Sequence, residues 1–493
     1  MKTMRLCPGR PAVWCAVQPG TLDVRALVET LRVSTSPLMW LESARAHPST
    51  GRYSLLAWDP WLTASATGAL MRVSTHDSLR LLTGNPLDRM QEILARYSGP
   101  LPAASLPPVG LGWYTCLSYE LNRWIERIPA PRTELGPVPE LVLYGMRQVV
   151  VIDHARARTW LLSVVDPHQP ARLATRQAGA RLEALQALLP SLQPGESPHM
   201  AAPAAEPVQI EPMLSQAQFE GMVGRAQEAI QAGEIFQVNL AQRVEASWDG
   251  SAWPVYQALR AINPSPFACF VQEQAWALVS CSPERLVRVR RGVADTRPIA
   301  GTRPRGARPE EDVVNSLELL LSEKERAEHI MLVDLARNDL GRVCRAGSVR
   351  VDELMALEDY SHVIHIVSNV RGRMRPGTGV AEIIRAMFPG GTITGCPKVR
   401  AMELIRELEP VARGPYTGSM GWIGFDGSLD LNILIRTMVV ASGRVSFHVG
   451  AGIVADSIPE HEYRETLAKG RALCEALQRA SAGAGVQAHA LRV

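Results

Sequence analysis

Runs rich in apolar and β-branched residues recur along this chain, and in its second half two-residue turns separate them: Arg291-Gly292, Asp426-Gly427 and Ser442-Gly443. Turns this tight join antiparallel neighbours, because a parallel pair needs a crossover of about a dozen residues or more. The runs WALVSCS, LVRVRR, DLNILIRTMVV and RVSFHVGAG read as strands, as do ALMRVST, ELVLYGM, RQVVVID and TWLLSVV nearer the N-terminus. Helical periodicity is predicted over 309–341, 379–387, 397–408 and 459–480. The fold class that follows is α+β and largely antiparallel. A doubly wound parallel sheet is excluded.

At 493 residues the chain exceeds one ordinary domain. The stretch LLPSLQPGESPHMAAPAAEPVQIEP is rich in Pro, Ala and Ser without sustained periodicity, and reads as a linker. It divides the chain into an N-terminal lobe (1–190), the linker (191–214), a larger lobe (215–482) and a tail (483–493). An amphipathic helix, ARLATRQAGARLEALQALL, closes the first lobe. Another, capped by Ser215, opens the second.

Charge excludes some partners. With 52 Lys+Arg against 49 Asp+Glu the net charge is +3, so no overall basic excess points to nucleic acid or an anionic membrane. Only Lys2, Lys324, Lys398 and Lys469 are lysines. The eight cysteines, Cys7 among them, are scattered with no CxxC pair and read as buried small hydrophobes. Pro8, Arg10 and Pro11 interrupt any signal-like run, and no stretch reaches the ~18–20 apolar residues of a membrane span. The expectation is a soluble, cytoplasmic protein.

Candidate chemistry sits in a few places. Glu325 and Glu328 lie three apart on one helix face, and Glu462, Glu465 and Lys469 form a stripe near the C-terminus. Ser457 and Glu460 have capping-box spacing, with Pro459 in the first turn. Two acidic pairs suit Mg²⁺, which takes one or two carboxylates and keeps water or substrate oxygens. Spacing alone describes two solvated helix faces equally well. FPGGTITGCPK leads into a helix and offers backbone N–H groups, Thr392, Thr394 and Lys398 to an anion, or simply turns a corner. GAGIVADS follows a strand and lacks the rest of a dinucleotide fingerprint. Arg436, in an apolar strand, calls for an anionic partner. His365, in a β-branched run, is either a satisfied core histidine or an acid–base group. No Cys/His/Glu amidotransferase constellation is present, so the chain does not release ammonia from glutamine itself.

Ten segments occur together in order: PSPF, SPER, PIAGTRPRG, ERAEHIMLVDLARNDLGRV, HVIHIVS, FPGGTITGCPKVRAMELI, GPYTGS, NILIRT, GAGIVADS and EYRETLAKG. They resemble the chorismate-utilising enzymes, densely over about 215–480. The resemblance implies two large, mainly antiparallel sheets in a sandwich flanked by helices. It makes 215–482 the chorismate-binding catalytic domain and 1–190 an anthranilate-synthase-like lobe. It also implies that Glu328 and Glu465 are Mg²⁺ ligands, with Glu325 and Glu462 shaping the site. His365 would assist the leaving group, and Glu284 would be an acid near the ring hydroxyl. Gln237, Thr302, Thr392, Tyr416, Arg436, Gly450, Gly452 and Lys469 match positions that hold the substrate.

Members that add water carry a lysine base where this chain has Gln237, and a glutamine cannot act as a general base. Two ammonia-using reactions remain, both fed by a separate glutamine amidotransferase subunit. Aminodeoxychorismate synthase component I aminates C4, in well-known members through a lysine in PIKGT; here that position is Ala300. Anthranilate synthase component I aminates C2 and releases pyruvate. Ala300 favours the second, whereas TITGCPK, GPYTGS followed by a Trp, and DLNILIRT resemble the first. The expectation leans to the aminodeoxychorismate branch, with anthranilate synthase as the alternative. WLESARAHPSTGRYSLLAWDP resembles the family's tryptophan-binding segment, with Glu42 and Ser43 matching and NPSPF (263–267) as its partner; an ordinary strand–loop–strand reads equally well.

Overall fold

The computed structural model describes residues 2–4, 12–44, 51–99, 106–131, 133, 135–192, 208–306, 308–359 and 363–490. Cys7, residues 193–207 of the linker and the last three residues of the tail lie outside the described residues. Every strand pairing is antiparallel. The α+β expectation holds.

Two long strands, Tyr53–Thr67 and Leu141–Asp153, pair along most of their length and serve two layers at once. ELVLYGM and RQVVVID, expected as two strands, are one. The first half of Tyr53–Thr67 pairs with Leu38–Glu42, and the second half of Leu141–Asp153 pairs with Arg158–Val164. From Leu38–Glu42 a layer continues through Phe267–Gln272, Ala277–Ser282, Thr437–Ala441, Arg444–Ile453 and Gln237–Ser247. The other halves of the two long strands pair with Leu70–Thr75 and Gly112–Leu117. That layer continues through Ser419–Gly424, Leu429–Asn432, Arg285–Arg290, Val293–Thr296 and Val363–Arg373. The register slips between Pro60 and Leu62, beside Asp59 at φ 58°, which bends the shared strand from one layer into the next. Strands on both sides of the linker therefore belong to the same layers.

Local chemistry explains the corners. At Arg291-Gly292 and Ser442-Gly443 both residues have positive φ, the geometry whose twist matches a two-residue hairpin. Between the layers lies a core built on Trp61, Trp113, Tyr114 and Tyr144. A second core under the helices Ala252–Ile262 and Pro459–Ala490 is filled by Trp40, Trp253, Tyr256 and Phe270. The helix expected over 309–341 is two, Pro309–Leu321 and Glu323–Gly341, because Ser322 turns extended and caps the second through the Glu325 N–H. The last helix runs to Ala490, past the expected end at 480 and into the tail. Among the described residues no helix is long and apolar enough to cross a membrane.

Candidate functional site

The chain crosses between the layers twice, side by side. Residues after Ala277–Ser282 pass to Arg285–Arg290, and residues after Leu429–Asn432 pass to Thr437–Ala441. The crossings are tied by Ile433 N to Glu284 O (3.0 Å), Ser282 Oγ to Ile433 O (2.5 Å) and Cys281 N to Arg436 O (3.2 Å). Glu284 lies on one and Arg436 on the other. This corrects the strand assigned to LNILIRTMVV: Arg436 has φ 52° and sits between two strands, because a residue that changes layer cannot stay in either ladder. Its Nη1 donates to Asn263 Oδ1 at 3.4 Å.

Glu284 is buried, and its carboxylate accepts from Thr392 Oγ1 at 2.7 Å. Burial pushes its pKa up to about 7, although Thr392 and Arg436 pull the other way. His365 faces Thr302 across a strand pair, and its Nδ1 lies 3.0 Å from Thr302 Oγ1 and 3.1 Å from Gly301 O. A carbonyl only accepts, so Nδ1 carries the proton and Nε2 the lone pair. Burial lowers this imidazole to about 4, helped by Arg436 and Lys469, and keeps it neutral. Ala300 pairs with Ile366 one step away and is buried. It offers no amine.

Gly450 and Gly452 lie within the strand Arg444–Ile453, as the run RVSFHVGAG suggested. A Cβ on Gly450 would stand 2.7 Å from both Tyr416 Oη and Asn239 Oδ1, and one on Gly452 would stand 2.7 Å from Gln237 Nε2. Glycine is required at both because polar side chains close over the strand. Gln237 Nε2 donates to Glu328 Oε1 at 3.0 Å, and buried Gln237 Oε1 and Asn239 Oδ1 have no partner among the described residues. Lys469 Nζ bonds Gly450 O at 3.1 Å and Glu465 Oε1 at 2.7 Å.

The two acidic pairs feel the same two lysines, Lys324 and Lys469. Glu328 is raised by burial and by Glu325, and is drawn back by Lys324 and Lys469. Glu462 is raised by burial and Glu465, against its Ser457 hydrogen bond and the same two lysines. Ser457 donates to Glu462 Oε1 (2.8 Å) and its Oγ accepts from Val454 N, so it is spent there rather than in the capping box expected with Glu460. Arg303 reaches Glu325 at 3.2 Å. Among the described residues no three His, Cys, Asp or Glu side chains converge in metal-holding geometry.

Two expected anion donors are already used. Thr394 Oγ1 donates to Gly390 O at 2.8 Å, and Lys398 Nζ pairs with Asp339 at 2.5 Å. Both groups are buried enough that an unpaired hydroxyl or ammonium would be costly, so the fold satisfies them internally.

Arg413, Glu409 and Asn239 escaped the sequence reading. The Arg413 guanidinium donates to Glu409 (2.5 and 2.8 Å), Ile393 O (3.1 Å), Thr417 Oγ1 (3.2 Å) and Asn239 O (2.7 Å). Glu409 also accepts from Ala241 N at 2.9 Å. One buried pair thus ties the Thr392 loop, the Gln237 strand and the Tyr416 loop together. The available signal was an Arg four residues after a Glu beside GPYT, which looks like any helix-end pair.

Glu42 and Ser43 lie on a wall of a separate cavity between the layers. Glu42 is held by Arg260 (2.6 and 2.7 Å) and Tyr256 Oη (2.8 Å), and Ser43 Oγ donates to Tyr53 O at 2.7 Å. Pro266 and Phe267 of the partner segment line the same cavity, with Arg288 and Trp422.

The Arg436 guanidinium acts on both the Glu284 carboxyl and the neutral His365 imidazole, and Lys469 acts on His365 as well. The family model for chorismate binding enzymes matches residues 42–475, and the chain belongs to that family of chorismate-utilising enzymes. It is 41% identical over 435 residues to an anthranilate synthase component I-like protein of Synechocystis sp., covering 88% of this chain and 84% of the relative. It is 39% identical over 455 residues to aminodeoxychorismate synthase component 1 of Bacillus subtilis, covering 91% and 93%. The structure of anthranilate synthase component I from Streptococcus pneumoniae superposes with a TM-score of 0.75 at 31% identity, covering 87% of this chain and 93% of that one. The mixed helix and antiparallel sheet architecture expected from the motifs is thus the one shared with a member of this family.

Proposed function

We propose that the chain aminates chorismate at C4, the reaction of an aminodeoxychorismate synthase component I, with ammonia from a separate glutamine amidotransferase subunit. Gln237 carries the choice of ammonia over water. It is no base, and its buried Oε1 is an acceptor lacking a donor, suited to an N–H of ammonia. In the reaction the C4–O bond breaks, a C4–N bond forms and the hydroxyl leaves as water. Glu284 in its acid form supplies that proton. Arg436, Lys469, Thr392, Tyr416 and the side-chain-free backbone at Gly450 and Gly452 orient the two carboxylates, and His365 Nε2 takes the proton that the incoming nitrogen sheds. Mg²⁺ held by Glu328 and Glu465, flanked by Glu325 and Glu462, would neutralise substrate carboxylate charge when bound. The designation of the relatives as component I or component 1 supports the partner subunit.

The C4 reading leans on the resemblance of TITGCPK, DLNILIRT and GPYTGS, the last of which contains Thr417. The residue stands at φ 59°, with its hydroxyl locked to Arg413 and to Tyr416 O, so the β-branched side chain is built into the loop. Ala300 favours the second reading, amination at C2 with loss of pyruvate, because no lysine adduct can form there. Purified chain, chorismate, Mg²⁺ and excess ammonium salt decide between them. A product that yields 4-aminobenzoate only after a lyase is added supports C4 amination; fluorescent anthranilate formed directly overturns it.

Lys469→Ala is expected to raise the KM for chorismate about 10–100-fold, as loss of one charge-assisted hydrogen bond does, with a smaller fall in kcat. Steady-state kinetics check this. An unchanged KM removes Lys469 from substrate binding.

A further inference from the structure

Three chain segments place five guanidinium groups around one open hollow of about 710 Å³ whose lining excludes Glu284, His365 and Arg436. Arg290 and Arg291 stand at one hairpin end and Arg156 and Arg158 at another, with Arg52 just before the long shared strand. Both hairpin ends are fixed by left-handed residues, Arg291 at φ 51° and Ala157 at φ 46°. Asp153 is the one acid among the described residues of the wall, and Arg52 already claims it in a two-pronged pair of 3.0 and 2.7 Å. Arg158 lies over the Trp160 ring at 5.6 Å, and Arg52 lies over the Tyr53 ring at 4.9 Å. Exposed Arg156, Arg158 and Arg291 have no carboxylate partner among the described residues.

Like charges gathered in a concavity raise the local potential and concentrate anions. Guanidinium forks from different strands match phosphate oxygens better than they match one another. We infer that this hollow is a binding site for a small anion carrying two or more phosphate groups, distinct from the chorismate site. A flat acidic protein surface fits it less well, because the guanidiniums converge on a recess instead of spreading over a face. The hollow shares Arg52, Tyr53, Pro108 and Arg290 with the cavity between the layers, so its ligand would touch that cavity's outer wall.

The test is calorimetric titration of the full chain with inorganic pyrophosphate, beside sulfate at matched ionic strength. Saturable binding of one pyrophosphate per chain is expected, tighter than sulfate and weakening as salt rises. The double variant Arg158→Ala/Arg291→Ala should bind about a hundredfold more weakly, since two charge-assisted contacts are lost, while chorismate turnover and the thermal midpoint stay at wild-type values. Pyrophosphate binding that is absent, no tighter than sulfate, or unchanged in the double variant overturns the inference. Loss of assembly with the glutaminase subunit in that variant, without pyrophosphate binding by wild type, overturns it in favour of a protein-docking surface.

Discussion

Glu284→Gln lowers kcat by about 10²–10⁴-fold, the range typical of losing a positioned general acid, while chorismate still binds. Glutamine keeps the shape and accepts from Thr392, but has no proton to transfer. With burial placing Glu284 at about 7, the wild-type profile should fall as pH rises through 7, because the acid form is the active one. Measured as kcat/KM for chorismate with free ammonia held constant, that limb disappears in the variant. A variant within threefold of wild type, or one that keeps the limb, removes Glu284 from the chemistry. Stability gives an independent reading. The folded carboxyl holds its proton to a higher pH than the unfolded one, so folding binds protons between the ordinary glutamate range and about 7. Ionising the buried group above that window destabilises the fold. Glu284→Gln should therefore raise the melting temperature relative to wild type at pH 8, and the gain should vanish near pH 4.

Arg413→Met costs the fold about 3–5 kcal/mol, the penalty for leaving a buried charge without its partner. Glu409 is left facing the Gln237 strand with the Ala241 N–H and no cation. Replacing both, as Arg413→Met with Glu409→Leu, should recover part of that loss, because a packed apolar pair needs no compensation. Activity should not recover with stability. The double variant still lacks the donors to Ile393 O, Asn239 O and Thr417, so the Thr392 and Tyr416 loops lose register and the KM for chorismate stays raised. Denaturant unfolding monitored by tryptophan fluorescence, beside kinetics on both variants, separates the effects. A single variant as stable as wild type, or a double variant with normal KM, contradicts the role.

The antiparallel layers, their hairpins and most helices were legible in the sequence because each rests on local chemistry. Gly after Arg291 or Ser442 sets a turn, and apolar residues at three-to-four spacing mark the helices. As candidates, Glu284, Glu328, His365, Glu465 and Lys469 were legible too, since each sits in a distinctive run of neighbours. What they do with their surroundings was not. Arg436 reads as a strand residue until the chain is seen to change layers there. Thr394 and Lys398 read as anion donors until Gly390 O and Asp339 take them. The acidity of Glu284 is moved by burial between two crossings, which its run of neighbours does not show. Arg413 gathers segments more than 170 positions apart in the chain, such as Asn239. Turn and helix signals act over a few residues, so the sequence alone determined them. Burial and the pairing of buried charges depend on which distant segments meet, and that only the tertiary structure decided.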